Sequence, residues 1–386
     1  MSKRTMALIL AVTLVSGLAG QAGAQDLSLT IPPGAEPEIV FDHDRDACEK
    51  FDVPDVPTRA FRMADETIRL IASHWTNRAF SGPDLDHLSH PCDIVYEGGN
   101  NDDPAAFDDR GWLVSTYTLD GVTVHGLVHN EFQGHRRPAL CPTGRYMDCW
   151  YNTVTYVVSK DGGRSFKPPA TGSRLVAALP YRYDPTRGKR SGLFNPSNII
   201  RRGDHFYTMM TAAPQEAQAG GVCLMRTDRL DEPTSWRAWD GHDFTVRFAD
   251  PYRDGGGGTC VPLPGLTRLM ASLSLHRPSG LYIGLFTHQQ RPPGGSTVVD
   301  GVFYATSPDL VTWSKPRLLF PTPTTLDKGC DTMPVVYPAL IDPDSPSRNF
   351  EDTDDDAHIY MTRISMDGCK TGWTRNLVRL RVHIER

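Results

Sequence analysis

Ser159-Lys160-Asp161-Gly162-Gly163-Arg164-Ser165-Phe166 is the stretch that decides the fold. It follows the strand-like run Thr153–Ser159. Aspartate and serine side chains can bond the backbone of their own turn, the glycines allow the tight reversal, and the aromatic opens the next strand. Related corners recur at Gly82-Pro83-Asp84-Leu85, at Thr227-Asp228-Arg229-Leu230 with Trp236 just after, and at Ser307-Pro308-Asp309-Leu310-Val311-Thr312-Trp313. Their aspartates are spaced 77, 67 and 81 residues apart. A corner returning at such intervals marks a repeat architecture.

Around each corner the sequence reads as short strands punctuated by the 34 glycines and 31 prolines, with almost no helical periodicity. The first group is Thr58–Arg62, Ile68–His74, Asn77–Ser81 and Asp93–Glu97. The second is Trp112–Thr118, Val122–His129, Thr153–Ser159 and a strand after Phe166. The third is Ser197–Arg201, His205–Thr211, Gly221–Thr227 and Ser235–Trp239. The fourth is Leu269–Leu275, Leu281–Thr287, Gly301–Ser307 and Lys315–Phe320. The fifth is Val335–Ile341, Ala357–Ile364 and Leu377–Ile384, with Pro37–Phe41 available as a closing strand. Five four-stranded units of ~70 residues predict an all-β fold, a single five-bladed β-propeller over residues 25–386.

Lys3 and Arg4, the apolar run Met6–Leu18 and Ala22-Gly23-Ala24 read as a signal peptide over residues 1–24, too short in its apolar part to span a bilayer. The expected location is secreted or periplasmic. All eight cysteines follow this segment, and an even count in an exported chain reads as disulfides. Cys141 and Cys149 are close enough to staple one loop. The remaining pairings are not fixed by sequence; Cys48–Cys92, Cys223–Cys260 and Cys330–Cys369 are the sequential guess. Zinc is the rival, without a CxxC pair to favour it. A net charge of −6 with scattered signs argues against nucleic acid, and no amphipathic basic helix suggests a membrane surface. A monomer acting on carbohydrate is the expectation.

The corner at 159–166 resembles the Asp-box of the sialidases. Ser307 to Trp313 resembles a corner of five-bladed glycosidases such as glycoside hydrolase families 43 and 32, and Asp55 to Phe61 resembles the opening of the first blade in family 43. That resemblance implies a glycoside hydrolase with an aspartate on the pocket floor. Family 43 places its general acid on the third blade, where this chain has amides at Phe194-Asn195-Pro196-Ser197-Asn198; Glu216 or Glu131 would have to replace it. A sialidase needs three arginines around the substrate carboxylate and a Tyr–Glu pair, and its propeller has six blades, so five blades fit that family poorly; a sialidase-like exo-glycosidase is kept as an alternative, as is a non-catalytic carbohydrate-binding propeller.

Antiparallel order puts the opening of each first strand, the end of the second and the start of the third at one end, away from the aspartate corners. That end collects Asp52, Asp55, Arg59, His74, Asn77 and Arg78, then Asp108, Asp109, His129, Asn130, Glu131 and Asn152. Asn195, Asn198, Glu216, His288, Gln289 and Tyr337 complete it. Glycoside hydrolysis needs one protonated and one ionised carboxyl group. Asp55 is the expected base or nucleophile, kept charged by nearby Arg59. Glu131, at the end of an apolar strand, is the expected general acid, and Asp109 the third carboxylate that tunes the pair. Arg59, His74, Arg78, His129, Asn130, Asn152, Asn195 and Asn198 are expected to hold the substrate. Each has a structural alternative: a turn cap for Asp55, a solvated loop for Glu131 and Asp109, a satisfied core histidine for His74. No cofactor or catalytic metal is expected. Asp342 to Asp344 and Glu351 to Asp356 form an acidic stretch, expected to be a solvated charge run with structural calcium as the rival. Asp254 to Gly258 reads as a flexible loop and not a phosphate cradle.

Overall fold

The computed structural model describes residues 27–253, 257–266, 270–291, 294–326, 329–330 and 332–386. The expected signal peptide lies outside these residues, as do Leu269 and residues 254–256 of the glycine-rich loop. The described chain is nearly all strand and turn, and its only α-helix among these residues is the four-residue His43–Asp46.

The strands follow the sequence pattern closely. Arg59–Arg62, Ile68–Ile71 and Phe80–Gly82 form one small sheet, and Thr76–Arg78 pairs with Ile94–Glu97 as a separate ribbon. Arg110–Thr118, Val124–Gln133, Trp150–Ser159 and Leu175–Ala177 follow in antiparallel order. Next come Ser191–Phe194 with Ile200–Arg202, then His205–Ala212, Gly221–Thr227, Arg237–Trp239 and Phe244–Val246. These two groups are joined into one ten-stranded sheet by a short parallel junction, Tyr151 against Ser191 and Asn152 against Gly192. The junction needs glycine: Gly192 has φ +101, and a Cβ there would sit 1.9 Å from the Asn152 carbonyl oxygen. Ser272–His276, Leu281–Gln290, Val299–Ser307 and Arg317–Pro321 form the next meander. The last contains Val335–Ile341, Asp356–Asp367 and Lys370–Glu385. Glu38–Phe41 closes it by pairing with Leu377–Arg379, as the sequence suggested, and Ser28–Thr30 adds to its far end.

Alternation along each strand splits its apolar residues between two neighbours. Ile283 and Leu285 pack with Ile359 and Val378 of the last group, whereas Tyr282 and Phe286 pack with Tyr207 and Leu224 of the third. Likewise Phe61 and Val95 of the first group share a cluster with Leu113 and Val157 of the second. Leu127 and Tyr156 of the second meet Phe206 and Met225 of the third. Ile341, Tyr360 and Leu377 of the last group return to Leu70 and Phe80 of the first. The buried clusters thus run in cyclic order.

At the corners, Asp161 accepts from the Ser159 hydroxyl (2.6 Å), the Ser165 amide (2.9 Å) and the Ser165 hydroxyl (2.7 Å). Asp84 accepts from the amides of Asp86 and His87, and Asp309 from those of Val311 and Thr312. Asp228 differs: its side chain is solvent-facing beside Arg229, and the Thr227 hydroxyl accepts from the Arg229 amide in its place. Register puts Ser159 opposite Val124 and Asn152 opposite Glu131, so this corner and Glu131 lie at opposite strand ends, ~24 Å apart.

The acidic stretch of the last group is solvated only in part: Asp344 and Asp356 are exposed, whereas Asp342 and Thr353 are buried. Asp342 is 1% exposed and accepts from the amides of Asp344 and Asp354. Arg277 pairs with Asp352 (3.1 Å) and Asp354 (3.0 Å), and His276 with Asp355. The segment stitches the groups together at the corner end. Arg348 donates to the carbonyls of Arg62 and Met63, Asn349 to that of Thr118, Glu351 accepts from Tyr117 and the Arg201 amide, and Asp352-Thr353 pairs with Leu275-His276.

All eight cysteines are paired, as Cys48–Cys92, Cys141–Cys149, Cys223–Cys260 and Cys330–Cys369, which suits an oxidising compartment. Among the described residues no helix is long and apolar enough to cross a membrane.

Candidate active site

At the strand ends away from the corners lies a cavity of about 660 Å³. One wall is the face of the second group. On Val124–Gln133 the alternate residues His129, Glu131 and Gln133 point into it. Their cross-strand neighbours Trp112, Arg110 and Trp150 continue the same face. The opposite side comes from the first and last groups: Phe51, Asp55, His74 and Trp75, then Tyr337, Trp373 and Arg375. Four of the chain's seven tryptophans (Trp75, Trp112, Trp150 and Trp373) line this one space. Flat apolar faces with polar groups between them fit a ligand that has both C–H faces and hydroxyl edges.

Asp55 and Glu131 share this cavity but not an environment. Arg375 donates to Asp55 Oδ1, the Tyr337 hydroxyl approaches the same oxygen at 3.5 Å, and His74 Nε2 lies 3.6 Å from Oδ2. Glu131 is 6% exposed, and among the described residues no lysine or arginine is within ion-pair distance of it, although Arg110 stands across the ladder and opposes the rise of its carboxyl. Burial pushes its carboxyl up to about 8, the charge of Asp55 adds to the rise, and hydrogen bonds from Gln133 Nε2 (2.9 Å) and the Tyr146 hydroxyl (3.2 Å) oppose it. Tyr146 is delivered by the loop stapled by Cys141–Cys149, where it stacks on Trp150 at 4.8 Å. Burial also pulls His74 down to about 4 and His129 to about 3, so both rings are neutral near pH 7. His74 Nδ1 lies 2.9 Å from the Phe51 carbonyl and must donate to it; Nε2 is then an acceptor facing the cavity, suited to a substrate hydroxyl.

Two lining residues have left-handed backbone. Tyr337 has φ 59 and sits where the pairing with Asp356–Asp367 skips between Val336 and Ala339; Asn195 has φ 41 just after Ser191–Phe194. A bulge of this kind re-aims one side chain, and here it turns Tyr337 towards Asp55.

The remaining expected site residues lie elsewhere. Arg59 is buried and donates to the carbonyls of Thr58, Val114 and Ala271, so Arg375 and not Arg59 is the cation on Asp55. Arg78 is bonded to Glu49 and the Cys92 carbonyl, with Asp52 3.8 Å away. Asp109 is 2% exposed and grips Arg137 with both oxygens (2.8 and 2.9 Å) and the Gln133 amide, which makes it a strut behind the wall and not a third carboxylate in the cavity. Asn130 points to the other face of its strand, bonding Thr153 and the Asp109 amide. Asn198 ties to the Leu273 backbone. Asn152 neighbours Glu131 across the ladder but is fully buried and does not line the cavity; nor do Asn77, Asp108, Glu216, His288 and Gln289. Gln133, Tyr146, Trp150, Arg110 and Arg375 were missed. The first was legible from its alternation with His129 and Glu131. Cys48, Asp52 and His90 cluster as metal ligands do, but the sulfur is spent in the Cys48–Cys92 disulfide.

No family model and no curated protein matches the chain. Solved structures that the chain resembles include glycoside hydrolases of families 32 and 43. An α-L-arabinanase from Cellvibrio cellulosa, solved with arabinohexaose, has a TM-score of 0.48 at 13% identity, covering 87% of this chain and 93% of that one. A glycosyl hydrolase from Bacteroides ovatus has a TM-score of 0.43 at 12% identity, covering 91% and 93%. A GH32 β-fructofuranosidase from Bombyx mori has a TM-score of 0.44 at 14% identity, covering 91% of this chain and 63% of that one. No residue role follows from likenesses of this size.

Proposed function

We propose that the chain is an exported glycoside hydrolase on a five-bladed β-propeller, with Asp55 as base or nucleophile and Glu131 as general acid. The observation that carries this reading is the asymmetry of two carboxyl groups in one cavity. Asp55 has a guanidinium as partner. Glu131 is buried, has no ion pair among the described residues and titrates at about 8, so it holds a proton at neutral pH. A glycosidic oxygen leaving between them would take that proton, while Asp55 attacks the anomeric carbon or activates a water against it. The third-carboxylate role given to Asp109 falls away, because Asp55 itself supplies the negative charge that raises Glu131. The tryptophan walls and the neutral His74 suit sugar faces and hydroxyls. The propeller reading is supported by the cyclic order of the buried clusters and by the closing strand Glu38–Phe41. Export is supported by four disulfides and by the sequence of residues 1–24.

The test is release of reducing ends from a panel of oligo- and polysaccharides. Wild-type protein should cleave at least one, and folded Asp55→Asn, which also leaves Arg375 without its counter-charge, should turn over at least ~100-fold more slowly. Binding of a glycan without cleavage by the wild type would establish the non-catalytic carbohydrate-binding reading instead.

A further inference from the structure

Arg110 stands directly opposite Glu131 across the antiparallel ladder, so the two side chains leave the backbone about 5 Å apart on one face. Its guanidinium lies 3.8 Å over the Trp75 ring, at the seam between the main cavity and a second hollow of about 390 Å³. Among the described residues it makes no hydrogen bond and no ion pair. The other arginines lining the cavity are engaged. Arg375 is bonded to Asp55, while Arg136 donates to Asn100 at 2.8 Å and lies 3.6 Å from Asp109. Asp109 in turn is held by Arg137. Glu97 faces only the second hollow, so an anion is favoured on the main-cavity side of Arg110. Asp55 is already paired with Arg375, and among the described residues no carboxylate lies within ion-pair distance of Arg110. A stacked guanidinium with its N–H fork unused is a built receptor for a planar or tetrahedral oxyanion.

We propose that Arg110 binds an anionic substituent of the sugar, a uronate carboxylate or a sulfate ester, beside the bond to be cleaved, and that the substrate is an acidic glycan. The identity of the glycan rests on the glycosidase reading; the anion site rests on Arg110 alone. Affinities are measured at fixed salt for matched probe pairs: oligogalacturonides against their methyl esters, and sulfated galactan oligosaccharides against their desulfated forms. Wild-type protein prefers the charged member of one pair, and which pair it is separates carboxylate from sulfate. Arg110→Gln lowers that preference about 10- to 100-fold, and Arg110→Lys, which keeps the charge and loses the fork, recovers part of it. Equal affinity within both pairs, or a preference that survives Arg110→Gln, overturns the proposal. Binding with this dependence but no cleavage keeps the anion site and removes the glycosidase reading. Cleavage of neutral glycans without any charge preference does the reverse.

Discussion

Replacing Glu131 by glutamine keeps the shape of the side chain and removes its proton equilibrium. Its carboxyl titrates near about 8 in the folded protein against an ordinary 4.5, because burial penalises the charged form. At ~1.4 kcal/mol per pH unit, that gap corresponds to about 5 kcal/mol. The folded value is the raised one. The advantage of the neutral form is therefore complete below pH ~4.5 and is lost as pH rises through about 8. Wild-type unfolding free energy should fall across that window by up to this amount from this one group. Glu131→Gln cannot ionise, so urea titrations near pH 5 and near pH 9 should show the variant gaining several kcal/mol on the wild type at the alkaline end. Turnover moves the other way. Wild-type kcat/KM should fall above pH ~8 as the acid loses its proton, and the variant should be slower by at least ~100-fold on a natural glycan. An aryl glycoside whose leaving group needs no proton should be largely spared. A pH–rate profile flat to pH 9, or a stability difference that does not change with pH, would refute the assignment of Glu131 as a buried acid.

Two further substitutions separate scaffold from chemistry. Asp109→Asn leaves Arg137 without its buried counter-charge and should cost roughly 3–5 kcal/mol in denaturant unfolding. If stability were normal and turnover collapsed, Asp109 would belong to the reacting groups after all. Tyr146→Phe removes a hydrogen bond that holds the Glu131 value down, so the alkaline limb of the pH–rate profile should move to higher pH. A limb that moved lower, or stayed, would remove Tyr146 from the acid's surroundings.

The strands and corners were readable because their determinants are local. The Asp161 corner is closed by bonds to Ser159 and Ser165 within a few residues, and strand faces announce themselves by alternation. Asp228 shows the limit of the pattern: the corner survives with Thr227 as the cap, so the aspartate was not what made the turn. In the site, Asp55 and Glu131 were legible from strand order, and the rise in Glu131 followed from the apolar strand before it. Asn130 was misplaced where alternation could have corrected it, since it lies one residue from both His129 and Glu131 and must face the other way. Asp109 was expected in the pocket as the third carboxylate, and its role as a strut shows only once its partners, Arg136 and Arg137, are folded over it.

The exchange of Arg59 for Arg375 is the most instructive difference. Arg59 is four residues from Asp55, but its side chain turns inward to the carbonyls of Val114, on a strand of the second group, and Ala271, just before the first strand of the fourth. Arg375 is 320 residues from Asp55 and reaches it only because Lys370–Glu385 is brought back beside the first group. Glu38–Phe41 pairs with that same strand at Leu377, Val378 and Arg379, immediately after Arg375 and Trp373. The strand that carries the counter-charge of Asp55 and one tryptophan of the cavity wall is thus the one clasped by the N-terminal segment. The pairing that completes the last group and the partner of Asp55 lie on one strand, and no window of sequence around Asp55 contains both.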